Sequence, residues 1–499
     1  MKKVLIIGAG IAGLTAGIYA QLCGFDAQIV EQHSLPGGQC TGWDRHGYHF
    51  DGCIHWLVGS KNGTPLHRVW RDTGALDAHT AVTPYKAFVR CEDGPRCVTI
   101  YTDADVLEKH LMSISPSDSR LIRRLCRDIR ALKGFSLPAE KPMDMLTFSE
   151  GLRYAFSNRR ALSVIARYNK ITVAQYANRF RDPLIGKALR SMMVPTGFKA
   201  TALVFTLGSM NDGDSGYPVG GSRAFALRMA ARFSGLGGRF RFNARVRRLL
   251  VENSQARGVQ LASGETLSAD YIVSCADGHA TLYDMLGGHY MPPRYEKLFA
   301  DTARYTLPTS AMVYLGVDAD LSGEPHVLSV CLEPPLKLAG RLRGFVQIIN
   351  YSGKGDMAPA GKTVLCCFFE ADYDDWHSMD KDRYARAKQE LAQSCVALVE
   401  KRYPHLQGRI ETTDVVTPQT YVHYCGSWRG AWMSWGFGRG VPPYFTGELP
   451  GLRRFLMAGM WTLPPGGLPC AAVAGKFAVQ RLCASEGVPF MPQAVSDSG

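Results

Sequence analysis

Short apolar runs alternate with amphipathic stretches along this chain, and the first run is the sharpest. Val4-Leu5-Ile6-Ile7 is unbroken and β-branched, the pattern of a strand covered on both faces in a parallel sheet. Leu14 to Ala20 reads as a helix, and Ala27-Gln28-Ile29-Val30 as a second strand ending at Glu31. Gly47 to Gly52 alternates as a strand entering a turn, followed by His55-Trp56. Between roughly residues 60 and 205 the pattern turns helical. Asp103 to Lys109 resembles a capped helix start, and Ser117 to Leu132 an Arg-rich amphipathic helix. Strands return at Arg245 to Leu249, with Leu250-Val251 and Gly258 to Leu261 flanking a hairpin, and at Tyr271-Ile272-Val273. Ala311 to Leu315 and Val364 to Phe368 are further strands, with a covering helix at Tyr384 to Tyr403. Leu456-Met457-Ala458-Gly459 is a strand running into a glycine turn, and Ala471 to Leu482 a final helix.

The first turn carries chemistry. Gly8, Gly10 and Gly13 stand in G-x-G-x-x-G spacing between strand and helix. Gly8 permits the tight turn, Gly10 lets backbone approach a pyrophosphate, and Gly13 lets the helix pack closely on the strand. The helix N-terminus at Ile11-Ala12 offers N–H groups and positive dipole to phosphates. Glu31, followed by Gln32, is placed to accept hydrogen bonds from both hydroxyls of an adenosine ribose, and an acid there repels a 2′-phosphate. A second glycine turn, Pro36-Gly37-Gly38-Gln39-Cys40, suits a cofactor that extends beyond its pyrophosphate. This strand–turn–helix–strand–acid context predicts dinucleotide binding.

Composition narrows the class. With 499 residues, 46% hydrophobic and 10% aromatic, the chain can bury a large core, and its length suggests about two to four domains. Lys+Arg 57 against Asp+Glu 44 gives a formal charge of +13, which favours an anionic partner such as a phosphate-bearing cofactor or an acidic membrane surface. No long basic block or aromatic-interleaved basic repeat occurs, so nucleic acid is not expected. The 14 cysteines lack any CxxC, and Cys366-Cys367 would point to opposite faces of a strand. Cys331, Cys366 and Cys395 read as reduced core thiols, which fits an intracellular, cytoplasmic setting. No stretch is long enough to span a bilayer, and no metal site is expected. From Gly151 to Lys170, however, Arg153, Arg159, Arg160, Arg167 and Lys170 interleave with Tyr154, Phe156, Leu162, Val164 and Ile165. Such a basic amphipathic helix either lies in a membrane interface, at the inner face, or is a solvated helix with one core-facing side.

At this point the chain resembles the phytoene desaturase, carotenoid isomerase and retinol saturase branch of the flavin amine oxidase superfamily. Besides the N-terminal residues, the resemblance rests on Gly216-Tyr217-Pro218-Val219-Gly220-Gly221, like the family's aromatic-Pro-x-Gly-Gly turn. It also rests on Ala244-Arg245-Val246 through Ala269 to Asp277, and on Phe455 to Thr462 with Gly466-Gly467-Leu468-Pro469. The resemblance implies FAD, with Val246 meeting the adenine through its backbone, Gly459 and Met460 at the ribityl chain, and Gly467, Leu468 and Pro469 opening a helix toward the flavin pyrimidine. It implies an α/β fold: a discontinuous Rossmann-like FAD-binding domain of glutathione reductase type, with an inserted α+β substrate domain and a helical subdomain. The expected division is 1–85, 205–295 and 445–490 for the cofactor domain, 86–204 for the helical part and 296–444 for the substrate sheet. Two residues depart from the wider superfamily: Met460 stands where many relatives carry an acid, and Gln39 where amine oxidases favour Arg.

The implied activity is FAD-dependent desaturation, saturation or isomerisation of a carotenoid- or retinoid-like substrate. Tyr421, Trp428, Trp432, Trp435, Phe437 and Tyr444 form a dense aromatic segment, either a wall for a flat apolar ligand or a packed core. Gly436-Phe437-Gly438-Arg439-Gly440 mimics a phosphate loop, but no apolar strand precedes it and Pro442-Pro443 follows. No second strand–glycine–helix fingerprint occurs for a separate NAD(P)H domain, so electrons pass to or from a quinone, oxygen or a redox protein. Cys40, His49, Asp51 and His55 are the acid/base candidates nearest in sequence to the second glycine turn, with Cys40, Asp51 and His55 favoured. Two alternatives stand beside this reading. One is a flavin oxidase or dehydrogenase of an amine or other small substrate; the other is a binding protein like the Rab GDP-dissociation inhibitors, which share a related fold without flavin.

Overall fold

The unbroken apolar run at the N-terminus has a simple cause: it is the central strand of a five-stranded parallel sheet. In a computed structural model that describes residues 1–193, 197–436 and 440–491, the strand order is Arg239–Arg241, Asp26–Val30, Lys3–Ile7, Tyr271–Ser274, Phe455–Met457. Val4 and Ile6 face one core with the helices, while Leu5 and Ile7 face another beneath the Val246–Glu252 and Gln255–Leu261 hairpin. One sheet therefore draws strands from both ends and the middle of the chain.

The first helix, Ile11–Leu22, is buried at every position from Ile11 to Ala20. A Cβ on Gly13 would stand 1.9 Å from the carbonyl oxygen of Gly8, so only glycine lets the helix leave the strand at this angle. The last helix, Leu468–Glu486, crosses over it, and a Cβ on Gly475 would stand 2.3 Å from the carbonyl oxygen of Ala12. That helix starts at Leu468, a turn earlier than its apolar periodicity predicts, because Pro469 sits in its first turn.

A seven-stranded sheet forms the second layer, in the order Ile410–Val416, Ser310–Val317, Thr363–Glu370, Arg341–Asn350, Val327–Leu338, Ala87–Asp93, Arg96–Tyr101. All eight residues of Ser310–Val317 are buried. Its Ala311, Val313 and Leu315 pack under the helix Lys381–Arg402, while Met312 and Tyr314 face the cofactor side. Cys366 and Cys367 accordingly fall in different cores, and all fourteen cysteines are free.

Two expectations change. Residues 87–101 form two strands at the edge of this sheet instead of continuing a helical stretch. Val98 and Ile100 alternate with exposed or half-buried Cys97 and Thr99, a period-two pattern too short to stand out before it pairs with its neighbours. The basic stretch at 151–170 is two helices, Phe148–Ser157 and Arg159–Tyr168. They break at Asn158, whose side-chain amide donates to the carbonyl of Tyr154 at 2.9 Å.

A hairpin, Gly42–Arg45 with Tyr48–Asp51, joins the two layers. Phe50 stacks on Tyr314 at 5.1 Å, the Trp43 indole donates to Asp414 at 3.0 Å, and the Tyr48 hydroxyl donates to Glu411 at 2.5 Å. Among the described residues, no helix is long and apolar enough to cross a membrane.

Gly475→Val tests the helix crossing. Its side chain has no room against Ala12, so stability should fall by about 1–3 kcal/mol, read as a lower urea midpoint. An unchanged midpoint would show that the two helices can separate freely.

Candidate functional site

The two glycine turns touch. The Gly37 N–H donates to the carbonyl of Ala9 at 2.8 Å, Gly10 and Gly37 form a parallel bridge, and a Cβ on Gly38 would lie 3.3 Å from the Cα of Gly10. The first helix begins at Gly10 with no side-chain cap and no acid in its first turn. Its leading N–H groups and dipole are left for an anion. A Cβ on Gly10 would meet nothing within 4 Å, so its open side can admit a pyrophosphate against bare backbone.

Glu31 is buried just past the second strand. Its Oε2 accepts from the Ala9 N–H at 2.7 Å and its Oε1 from the His33 N–H at 2.8 Å. Those bonds fix the carboxylate while each oxygen keeps a lone pair for a hydroxyl. The Ala244 N–H donates to the Glu31 carbonyl at 2.8 Å, which brings the strand starting at Val246 alongside. Beside them, the Gln32 amide lies against Gly426.

The chain's other end completes the cradle. A Cβ on Gly459 would lie 3.7 Å from that of Ala12, so the C-terminal turn reaches the first helix. Its carbonyl accepts from both the Thr462 N–H and hydroxyl, while the Ser434 hydroxyl donates to the Met460 carbonyl at 2.8 Å. Gly467 then caps the last helix without a side-chain bond, and again the first turn holds no acid. Gln39 braces this region, its amide donating to Ser427 Oγ at 2.7 Å and to the Ala431 carbonyl at 2.9 Å. Two uncapped helix N-termini and a buried carboxylate fit the phosphates, pyrimidine and ribose of FAD. Among the described residues, no cluster of His, Cys, Asp or Glu could hold a metal ion.

The acid/base candidates lie in very different surroundings, and His49 is paired through Nδ1 with Asp44 at 2.6 Å. Asp51 is fully buried and saturated: it accepts from the Cys53 N–H at 3.0 Å, the Ser222 N–H at 2.9 Å, the Tyr217 hydroxyl at 2.5 Å and the Ser222 hydroxyl. It works as an anchor between the hairpin and the Gly221–Gly235 helix. Cys40 is buried, its thiol pushed well up by burial and donating to the Ser222 carbonyl. His55 differs: its Nδ1 is buried without a partner, and burial lowers its imidazole, keeping it neutral. Its ring meets Phe368 of the substrate sheet edge-on at 5.6 Å.

Part of the aromatic segment resolves as core. Trp435 meets Trp461 at 4.9 Å and Phe299 at 4.9 Å, and Trp428 meets Phe299 at 5.1 Å, all beneath the Val246 hairpin. Trp432 turns the other way, toward Phe198 of the helical part, while the Tyr444 hydroxyl accepts from Arg481. Phe437, Gly438 and Arg439 lie outside the described residues. An open cavity of about 810 Å³ runs past Gly38, Gln39 and Gly52 to Met312, Val416 and Tyr421 of the substrate layer. Sequence reading passed over Ser222, His326 and Lys354, which spacing alone does not distinguish from ordinary loop and helix residues.

Asp51→Asn replaces an acceptor-only anchor with one that presents N–H groups to donors. It should destabilise the protein by about 1–3 kcal/mol in denaturant unfolding; a neutral effect would refute the anchoring role.

Comparison with known proteins agrees with this geometry. The chain is 24% identical over 519 residues to a chloroplastic prolycopene isomerase of Daucus carota, covering 97% of this chain and 80% of that one. It is 28% identical over 344 residues to a lycopene-forming phytoene desaturase of Pseudescherichia vulneris, covering 67% of each. In fold it is similar to an oxidoreductase from Methanosarcina mazei (TM-score 0.60, 15% identity, 96% of this chain and 100% of that one). It is similar also to the cyclohexylamine oxidase of Brevibacterium oxydans (TM-score 0.60, 16% identity, 97% and 99%). The model of the flavin containing amine oxidoreductases matches residues 11–483, and the chain belongs to that family as an FAD-dependent oxidoreductase.

Proposed function

We propose that this protein acts on carbon–carbon bonds of an apolar, polyene-type substrate, by desaturation, saturation or isomerisation. The observation that carries this reading lies near the second glycine turn: His55 is a neutral imidazole with an unpartnered buried Nδ1, and its ring meets Phe368 of the apolar sheet. The relatives named as prolycopene isomerase and phytoene desaturase support the same substrate class.

In this reading Gly8 to Gly13 cradle the pyrophosphate, Glu31 and Gln32 hold the adenosine ribose, and Val246 meets the adenine. Gly37, Gly38 and Gln39 flank the flavin, Gly459 and Met460 the ribityl chain, and Gly467, Leu468 and Pro469 the pyrimidine ring. Bound FAD supplies two-electron chemistry, accepting or donating a hydride at N5. His55 exchanges the accompanying proton, while Asp51 and Cys40 brace this region through Ser222. Electrons leave to, or arrive from, a quinone, oxygen or a small redox protein.

The purified holoprotein should be yellow, and polyenes should change its flavin spectrum under anaerobic conditions. Bleaching by amines alone would overturn the polyene assignment. Because burial holds His55 below 6.5, the base form persists at neutral pH. The rate of flavin reduction should therefore stay level down to about pH 6.5 and fall only below it, and His55→Gln should slow it on the order of 10²-fold or more. A pH profile unchanged by His55→Gln would remove the residue from the reaction.

The substrate's solubility bears on the helix Phe148–Ser157, in which no residue is buried. Phe148, Leu152 and Phe156 recur every fourth position and are 84%, 56% and 70% exposed. Arg153, Arg159 and Arg160 are exposed around them, with the Arg159 guanidinium over the Phe156 ring at 4.5 Å. An apolar stripe ringed by arginines has the chemistry of an anionic lipid surface. The protein should co-sediment with phosphatidylglycerol vesicles and less with phosphatidylcholine. Replacing all three apolar residues by serine should abolish this while leaving the flavin spectrum intact. Equal binding by the triple variant would sink the membrane contact.

A further inference from the structure

Lys354 enters the interior from an exposed loop between Gly353 and Gly355, and only 5% of it is accessible. Its ammonium lies 4.3 Å from the Tyr85 ring centroid and 5.3 Å from that of Tyr217. It forms no ion pair or side-chain hydrogen bond among the described residues. Asp51, the carboxylate of this region, is already saturated by Tyr217, Ser222 and backbone N–H groups. A buried cation with aromatic faces but no counter-charge is an expensive arrangement.

Its neighbours repeat the pattern. The Tyr351 hydroxyl and His55 Nδ1 are buried atoms without hydrogen-bond partners. His326 stacks on Tyr85 at 4.5 Å and donates through Nδ1 to the Asn350 carbonyl at 2.9 Å, which leaves its Nε2 unpartnered and neutral. The Tyr85 hydroxyl donates to the His55 carbonyl at 2.7 Å, so the Lys354 group is one residue away from the proposed proton-exchanging imidazole.

We infer that Lys354, backed by Tyr85, Tyr217 and Tyr351, is a binding site for a carboxylate carried at one end of the substrate. The inference rests on the polyene reading and narrows it to acid-terminated polyenes, held by one charged end with the chain running past His55 and Phe368. The ammonium supplies the counter-charge and the Tyr351 hydroxyl a second donor. Burial lowers Lys354 to about 8, and an anion beside it would restore its charge at higher pH.

All-trans-retinoic acid and its methyl ester separate charge from shape, since they share one polyene. With the FAD-loaded protein, quenching of tryptophan fluorescence should show the acid binding at least tenfold more tightly than the ester. Lys354→Met should bring the acid down to the ester's level and leave the ester unchanged, whereas Lys354→Arg should keep most of the preference. The flavin spectrum of each variant reports whether the fold survives. Equal affinities for acid and ester in the native protein, or an undiminished preference in Lys354→Met, would overturn the site while leaving the polyene reading standing. Failure of both ligands to bind would overturn the two together.

Discussion

Backbone must approach the first helix from several sides at once, and the rest of the molecule is arranged around that demand. The strand Lys3–Ile7 lies beneath it, the Gly221–Gly235 helix brings Phe233 against Gly17, and the last helix crosses at Gly475. None of these contacts leaves room for larger residues, which explains Ala-Gly-Leu-Thr-Ala-Gly along the helix better than helix propensity does, since glycine weakens an isolated helix. The same crossing explains the site. It brings the two uncapped helix N-termini, at Gly10 and Gly467, into one region, although they lie at opposite ends of the chain. Packing and cofactor affinity are therefore one constraint seen twice.

How legible this was depended on whether a signal was local. The glycine turn, Glu31 and the strand at Tyr271 each combine a period with a fixed spacing, and those are visible in a single sequence. The strands at 87–101 were not, because Ala87–Asp93 gains its place only by pairing with Leu328–Val330, more than two hundred residues away. The aromatic segment was ambiguous for the same reason. Trp428 and Trp435 are core because Phe299 and Trp461 meet them, while Trp432, in the same stretch, faces the helical part. Lys354 carried no periodic signal at all, since its burial is set by Tyr85 and Tyr217 arriving from distant parts of the chain.

Polar groups near the second glycine turn are handled unevenly, and that unevenness narrows the chemistry. Asp51 has both oxygens committed to the donors that tie the hairpin to the Gly221 helix. Burial keeps Cys40 protonated and therefore a poor nucleophile. A reaction needing a strong nucleophile or a free carboxylate has no obvious place here. Hydride transfer asks for less: an apolar surface that positions the carbon chain, and one neutral base within reach. In the proposed reading His55 meets the second requirement, and the substrate sheet the first.

Lys354 then stands out as the group whose charge nothing in the fold uses. Many cations elsewhere in the chain meet carboxylates, as Arg402 meets Glu92 and Lys187 meets Asp93, and the buried Lys476 donates to the Ala139 carbonyl. Two tyrosine rings stabilise an ammonium, yet they do so without neutralising it, and the surrounding burial works against the charged form. A residue retained only for packing at this position could be methionine, which would fill the same space without the desolvation cost. The ammonium is better understood as half of an ion pair whose other half arrives with the substrate.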